Sequence, residues 1–257
     1  MAWSKFPYPD DSYVYTPAGL KKAWARLHAG DAEPFPKDAK LVDAWIAFHA
    51  GEFEKAAKLG LAAGVDGYSV ANKATAIYAN YLEKSEKKKL AMFQEVAERC
   101  EAQQKEQPKN AAAWYWHAYS LGRYAQGISI VKALSQGIGN KVKNSLDMTV
   151  KLAPKHADAH IGLGTYHAEI IDKVGAMIGG LTYGAKKEEG LKFFKTALKL
   201  NPDSAIARVE YANGLVMLEG KKKMDEAVKL YEEAAACEPV DAMERLDVEL
   251  AKAELDD

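Results

Sequence analysis

The chain has 257 residues, 48% of them hydrophobic and 28% charged, a composition that can bury a sizeable core and differs from that of disordered or membrane-embedded proteins. Thirty-five Lys and Arg stand against 36 Asp and Glu, a formal net charge of −1, so no overall field draws the chain to phosphate backbones and nucleic acid is not an expected partner. Two cysteines, Cys100 and Cys237, are too few for a disulfide framework or a zinc cluster and are expected to be free thiols at helix interfaces.

Residues 1–37 are rich in Pro and Tyr at both ends, with a short helical stretch around Leu20 to Leu27 that carries Trp24 on its apolar side. This segment is expected to be an N-terminal arm packed onto the first repeat. It has no apolar signal-peptide core, and no run of ~18 uncharged apolar residues follows, so no membrane span is expected. The expectation is a soluble protein, cytoplasmic as written or periplasmic if a signal has been removed.

From Leu41 onward the apolar period is helical, with no convincing strand alternation. Lys-Leu-Ala-Pro at 151–154, Lys-Leu-Asn-Pro at 199–202 and Ala-Cys-Glu-Pro at 236–239 repeat one ending, and Pro108 is a weaker instance. Upstream of Pro202 lie Gly190, Phe194 and Ala197, and upstream of Pro239 lie Ala227, Tyr231 and Ala234. These match the A-x3-F and terminal proline of the tetratricopeptide (TPR) repeat. First helices carry large, small, large triplets: Trp114, Ala118 and Leu121; His160, Gly164 and His167; Tyr211, Ala212 and Leu215.

The predicted fold is therefore all-α, a single TPR-like solenoid over 1–257. About five helix pairs are expected, at 40–64, 69–107, 111–153, 157–201 and 204–238, with a helix at 241–255 capping the last apolar face. Successive prolines at 108, 154, 202 and 239 are 46, 48 and 37 residues apart, against ~34 for an ordinary repeat. The two central pairs thus carry insertions, 127–139 and 174–184, both apolar and Gly-rich and expected to pack on each other. The basic runs 87–89 and 221–223 are expected to be solvated turns.

Over residues 113–235, Leu-Gly-Arg-Tyr (121–124), Lys-Leu-Ala-Pro-Lys-His-Ala-Asp-Ala-His (151–160), Gly-Leu-Gly-Thr-Tyr-His-Ala-Glu (162–169) and the two insertions resemble the regulator of microtubule dynamics family. They are also similar to the TPR lipoprotein that accompanies TRAP-type transporters. The resemblance implies a curved or closed helical solenoid used for binding, without catalytic residues to transfer. The transporter relatives imply a role beside a solute-binding protein, with a ligand-accommodating pore. Neither the lipobox cysteine nor the anchoring segment of those relatives is present, so neither membrane attachment nor a microtubule role is carried over.

His156, His160 and His167, with Glu169 close by, are the most chemical-looking cluster. On a helix His160 and His167 stand ~10 Å apart along the axis, too far to share one metal. The register instead makes them packing residues, hydrogen-bonded to Glu169, Glu210 or Tyr183. The Gly-rich stretch 174–184 lacks the Gly-Lys-Ser/Thr of a phosphate loop and is expected either to pack in the interior or to form a flap over a hydrophobic cavity or partner. No catalytic residue, metal or cofactor is expected.

The repeat register assigns the inner faces of the first helices to Trp45 and His49, to Tyr115, Tyr119 and Arg123, to Ile161, Thr165 and Glu169, and to Val209 and Asn213. Aromatic rings with few charges suit an apolar peptide or small molecule better than a carboxylate-gripping clamp. The expected function is a noncatalytic adaptor that recognises a protein or peptide partner through this groove, with Tyr183 beside it. The alternative is a transport accessory holding a small hydrophobic ligand in a central cavity. Exposed solenoid faces also allow a homodimer.

Overall fold

A computed structural model describes residues 3–256, and every regular element among them is helical. After a short 3-10 turn, Asp11–Tyr13, come α1 (Pro17–Leu27), α2 (Ala39–His49), α3 (Phe53–Ala62), α4 (Tyr68–Tyr81) and α5 (Glu86–Glu106). The third pair is α6 (Ala111–Ile128) with α8 (Ile138–Leu152), and α7 (Ile130–Ser135) lies between them. The fourth is α9 (Ala157–Val174) with α11 (Lys187–Leu200), separated by α10 (Ala176–Tyr183). The last pair, α12 (Ala205–Glu219) and α13 (Met224–Ala235), is followed by α14 (Ala242–Asp256).

Local chemistry sets where these helices stop and restart. Gln107, Ala153 and Asn201 cap α5, α8 and α11 with φ between −136° and −128° and ψ between 63° and 86°, the extended backbone that a following proline imposes. A side-chain cap then opens each next helix. Asn110 accepts from the Ala112 N–H, His156 from Ala159 and Ser204 from Ala207, satisfying donors that the first turn leaves unpaired.

Phe194 of α11 shows why small residues recur. It is fully buried, and a Cβ added to Gly164 of α9 or Gly214 of α12 would stand 2.7 or 2.4 Å from its ring. Tyr211 stacks on the same ring at 5.4 Å. Three helices therefore close on one aromatic side chain, with glycines supplying the room.

The insertions leave the stack at positive φ. Ser129 (89°) and Gly137 (74°) bracket α7, while Gly175 (82°) and Gly184 (66°) bracket α10. Their main contacts are with different neighbours rather than with each other, contrary to the sequence expectation. Helix α7 packs on α6, α8 and α9, and α10 on α9. Ala133 and Leu134 of α7 are buried, whereas Met177, Ile178 and Leu181 of α10 are 76%, 52% and 86% exposed. Of the two basic runs, 221–223 forms a 3-10 turn, but 87–89 lies inside the first turn of α5.

The two ends of the chain meet across the stack. Trp3 stacks on Tyr78 of α4 at 4.2 Å, and the Tyr15 hydroxyl donates to the Val240 carbonyl at 2.8 Å. Arg26 of α1 grips both oxygens of Glu244 in α14, at 2.5 and 3.1 Å. The N-terminal arm thus reaches past the first repeat to the final helix. Helix α14 covers α12 and α13 through Val248 and Ala251 while turning Met243 and Asp247 toward the interior, and Asp241, just before the helix, bonds His49. Among the described residues no helix is long and apolar enough to cross a membrane.

Candidate functional site

The inner face of the first pair is already occupied. Trp24 of α1 meets Trp45 edge-on at 5.6 Å and stacks on His28 at 3.8 Å. His28 and Lys73 both bond Asp31, at 2.8 and 2.6 Å, and His49 bonds Asp241 at 2.7 Å. The Asp158 N–H donates to the Gly30 carbonyl at 3.0 Å. Burial pushes His28 down to about 4, so its imidazole is neutral and donates to Asp31. Burial opposes ionisation of Asp31, but His28 and the Lys73 ammonium outweigh it and hold the carboxyl well below its usual range.

This polar plug excludes two residues that the sequence assigns to a partner. Trp45 is 3% exposed and His49 0%, because the arm lies over them. A protein meeting the first repeat from its concave side would have to displace the chain's own segment.

Further along the stack a cavity of about 130 Å³ remains open. Its apolar wall comes from the first insertion and its neighbours: Leu134, Ile138, Val142, Leu146 and Ile170. Tyr81, Tyr115, Tyr119 and Tyr166 add aromatic surface. A continuous polar belt runs along it: Gln126 donates to Glu169 at 2.6 Å, Arg123 donates to Gln126 at 3.0 Å and to Glu210 at 2.7 Å, and Thr165 donates to Glu210 at 3.2 Å. Arg123 also lies over the Tyr119 ring at 5.4 Å. Helices α6, α9 and α12 are tied together by this belt.

Two carboxyls of the cavity lie outside the belt. Asp247 of α14 is bonded by the Tyr81 hydroxyl. Burial raises it well above the usual carboxylate range despite that bond, with Glu244, Asp158 and Asp241 adding to the rise. Asp158, in the first turn of α9, is pushed up to about 7, chiefly by burial and then by Asp31, against the pull of Lys73.

Of the residues assigned from the repeat register, Tyr115, Tyr119, Arg123, Thr165, Glu169 and Ile161 all line this cavity. Val209 is buried beside α14, and Asn213 accepts from Tyr231 at 2.5 Å. Tyr183 offers its carbonyl to the Tyr166 hydroxyl at 3.1 Å. These last three and the plugged Trp45 and His49 stand apart from the cavity.

The histidines are dispersed, and their partners are not the acids and tyrosine expected from the sequence. His156 caps α9 and lies 4.4 Å from the Tyr115 ring. His160 bonds the Pro154 carbonyl, His167 accepts from the Lys186 N–H, and both rings face Phe193. Main-chain groups partner one ring nitrogen of each, because each sits where a turn brings backbone within reach, while Nε2 of His156 and Nδ1 of His160 are buried without a hydrogen-bond partner among the described residues. Burial lowers His156 and His167 to about 4.

Sequence reasoning missed Asp158, Asp247 and Tyr81. Asp158 occupies a helix-start position where acids are ordinary surface residues. Asp247 had a usable signal, since Leu246 and Val248 flank it and three consecutive buried positions cannot share one helix face. That run shows that α14 is covered on more than one side.

The model of the family described as Regulator of microtubule dynamics protein 1-3 matches residues 68–256, a span that includes every residue lining the cavity. Among solved structures, that of a thermophilic TPR protein in Thermus thermophilus matches with a TM-score of 0.57 at 16% identity, covering 83% of this chain and 97% of that one. At that identity the likeness is one of fold. No match to a curated protein was found.

Proposed function

The chain belongs to the regulator of microtubule dynamics protein family, and on that footing we propose that it is a noncatalytic binding scaffold holding a small apolar or amphipathic ligand in the cavity bordered by α4, α6 to α9, α12 and α14. The observation that carries this reading is convergence. Inner-face residues of two successive first helices meet around one space, while the first repeat's inner face is filled by the chain itself. Apolar cavities of about 150 Å³ accept a single six-membered ring, so the ligand, or the part of it that is enclosed, is of that size.

Gly122 supplies the test. It lines the cavity, has ordinary helical φ within α6, and a Cβ there would meet open space. Gly122→Leu would fill the cavity while improving helix propensity by about 0.8–1 kcal/mol. Calorimetric titration with benzyl alcohol is expected to show saturable binding to the natural chain and none to this variant, whose melting temperature is equal or higher. Equal binding by both proteins, or none by the natural chain, refutes the reading.

A second reading, a docked protein partner, is favoured by α10, whose Met177, Ile178 and Leu181 form an exposed apolar face of the kind that marks interaction sites. Leu181→Lys would then weaken partner capture and leave benzyl alcohol binding intact. Capture unaffected by that substitution argues against α10 as the docking site.

A further inference from the structure

Charge around the cavity is unbalanced. Four carboxyl groups line it, those of Asp158, Glu169, Glu210 and Asp247, against one cation, Arg123. That guanidinium is committed to Glu210 at 2.7 Å, the Gln126 amide satisfies Glu169, and the Tyr81 hydroxyl bonds Asp247. The nearby basic groups outside the cavity are also engaged, Lys73 with Asp31 at 2.6 Å and Arg26 with Glu244 at 2.5 Å.

Asp158 is the exception. The residue is 9% exposed and lines the cavity, with its carboxyl beside Gly30, yet among the described residues that carboxyl accepts no hydrogen bond and contacts no cation. A buried carboxyl without a partner is costly, and such groups are normally paired or hydrogen-bonded. The charged groups facing it are Asp31 and Glu244, which add negative field, and Lys73, which opposes them. The rings of Tyr81, Tyr115 and Tyr119 border the same cavity, and aromatic faces attract cations.

We propose that the cavity selects an organic cation, an ammonium group on a ring-sized apolar body, with the ammonium set against Asp158 and Asp247 and the body against Leu134, Ile138, Val142 and Leu146. This rests on the reading of the cavity as a binding site and names the ligand class for it. A neutral ligand of the same shape would fill the space but leave Asp158 unpaired, and an anion would add to the excess negative charge. Among the described residues no three His, Cys, Asp or Glu side chains converge as a metal site would require, whereas an ammonium on an apolar body matches both the unpartnered carboxyl and the apolar wall.

Three compounds of nearly equal shape test the idea on the full chain near neutral pH: benzylammonium, benzyl alcohol and benzoate. Titration calorimetry is expected to show benzylammonium binding about tenfold tighter than benzyl alcohol, with no measurable benzoate binding. Asp158→Asn should bring benzylammonium down to the level of the alcohol without changing the alcohol's affinity. Asp247→Asn, or the comparison in the natural chain alone, serves if that variant does not fold. Alcohol binding as tight as ammonium binding overturns the cation assignment and leaves the cavity reading standing. Absence of binding by both compounds overturns the two together.

Discussion

Arg123 illustrates how one side chain can serve both fold and cavity. Its side chain is 22% exposed and that of Glu210 12%, so the pair is largely out of water and ties α6 to α12. Truncation to Ala would leave Glu210 with Thr165 as its remaining partner. Removing one member of a largely buried pair strands the other's charge, and Arg123→Ala is expected to lower unfolding free energy by about 2 kcal/mol in urea titration. A loss within experimental error would mean that the belt is solvent-screened. Asp158 makes a different prediction. Its folded pKa of about 7 lies above the ordinary carboxylate value of about 4, so in that window the folded state holds a proton that the unfolded state has released. Stability from this group is therefore full at acid pH and is lost as pH rises through 7. Asp158→Asn cannot titrate, and its stability relative to the natural chain should rise by about 2 kcal/mol between pH 5 and pH 8. A pH-independent difference would show that Asp158 is already ionised in the folded chain. Both residues were only half legible in the sequence. Arg123 lay on the register's inner face, whereas Asp158 looked like any acid at a helix start, and only the arm crossing over α9 at Gly30 buries it.

Helices were the most legible level, because their boundaries depend on nearby chemistry. Each X-Pro pair after α5, α8 and α11 stops a helix, and Asn110 or Ser204 starts the next; those signals lie within a few residues of the event. The insertions were visible as extra length, but not as helices with different fates. Both are apolar and Gly-rich, and composition does not say that α7 is walled in by three helices while α10 rests on one. Nor did Ser129 advertise a turn, although its φ of 89° with ψ of 126° is a region glycine adopts far more readily. Relieving that strain should help: Ser129→Gly is expected to raise unfolding free energy by about 1 kcal/mol, read as a higher urea midpoint with unchanged slope. A lowered midpoint would mean that contacts of the Ser129 side chain outweigh its backbone strain.

At the scale of the molecule, the repeats generate curvature and the two chain ends determine what that curvature offers. The arm and α14 cross the inner side and bond each other through Arg26 and Glu244, so the groove of a simple repeat array is divided into a filled part and a cavity. Periodicity specified which residues face inward but not what covers them, since Trp45 and His49 satisfy the same pattern under the arm as they would in an open groove. Locating a bound ligand therefore tests the account most directly. Methyl-resolved NMR of the full chain titrated with benzyl alcohol should shift Leu134, Val142, Leu146 and Ile170, which wall the cavity. Saturable shifts confined to Met177, Ile178 and Leu181 of α10, with those four methyl-bearing residues unmoved, would contradict it.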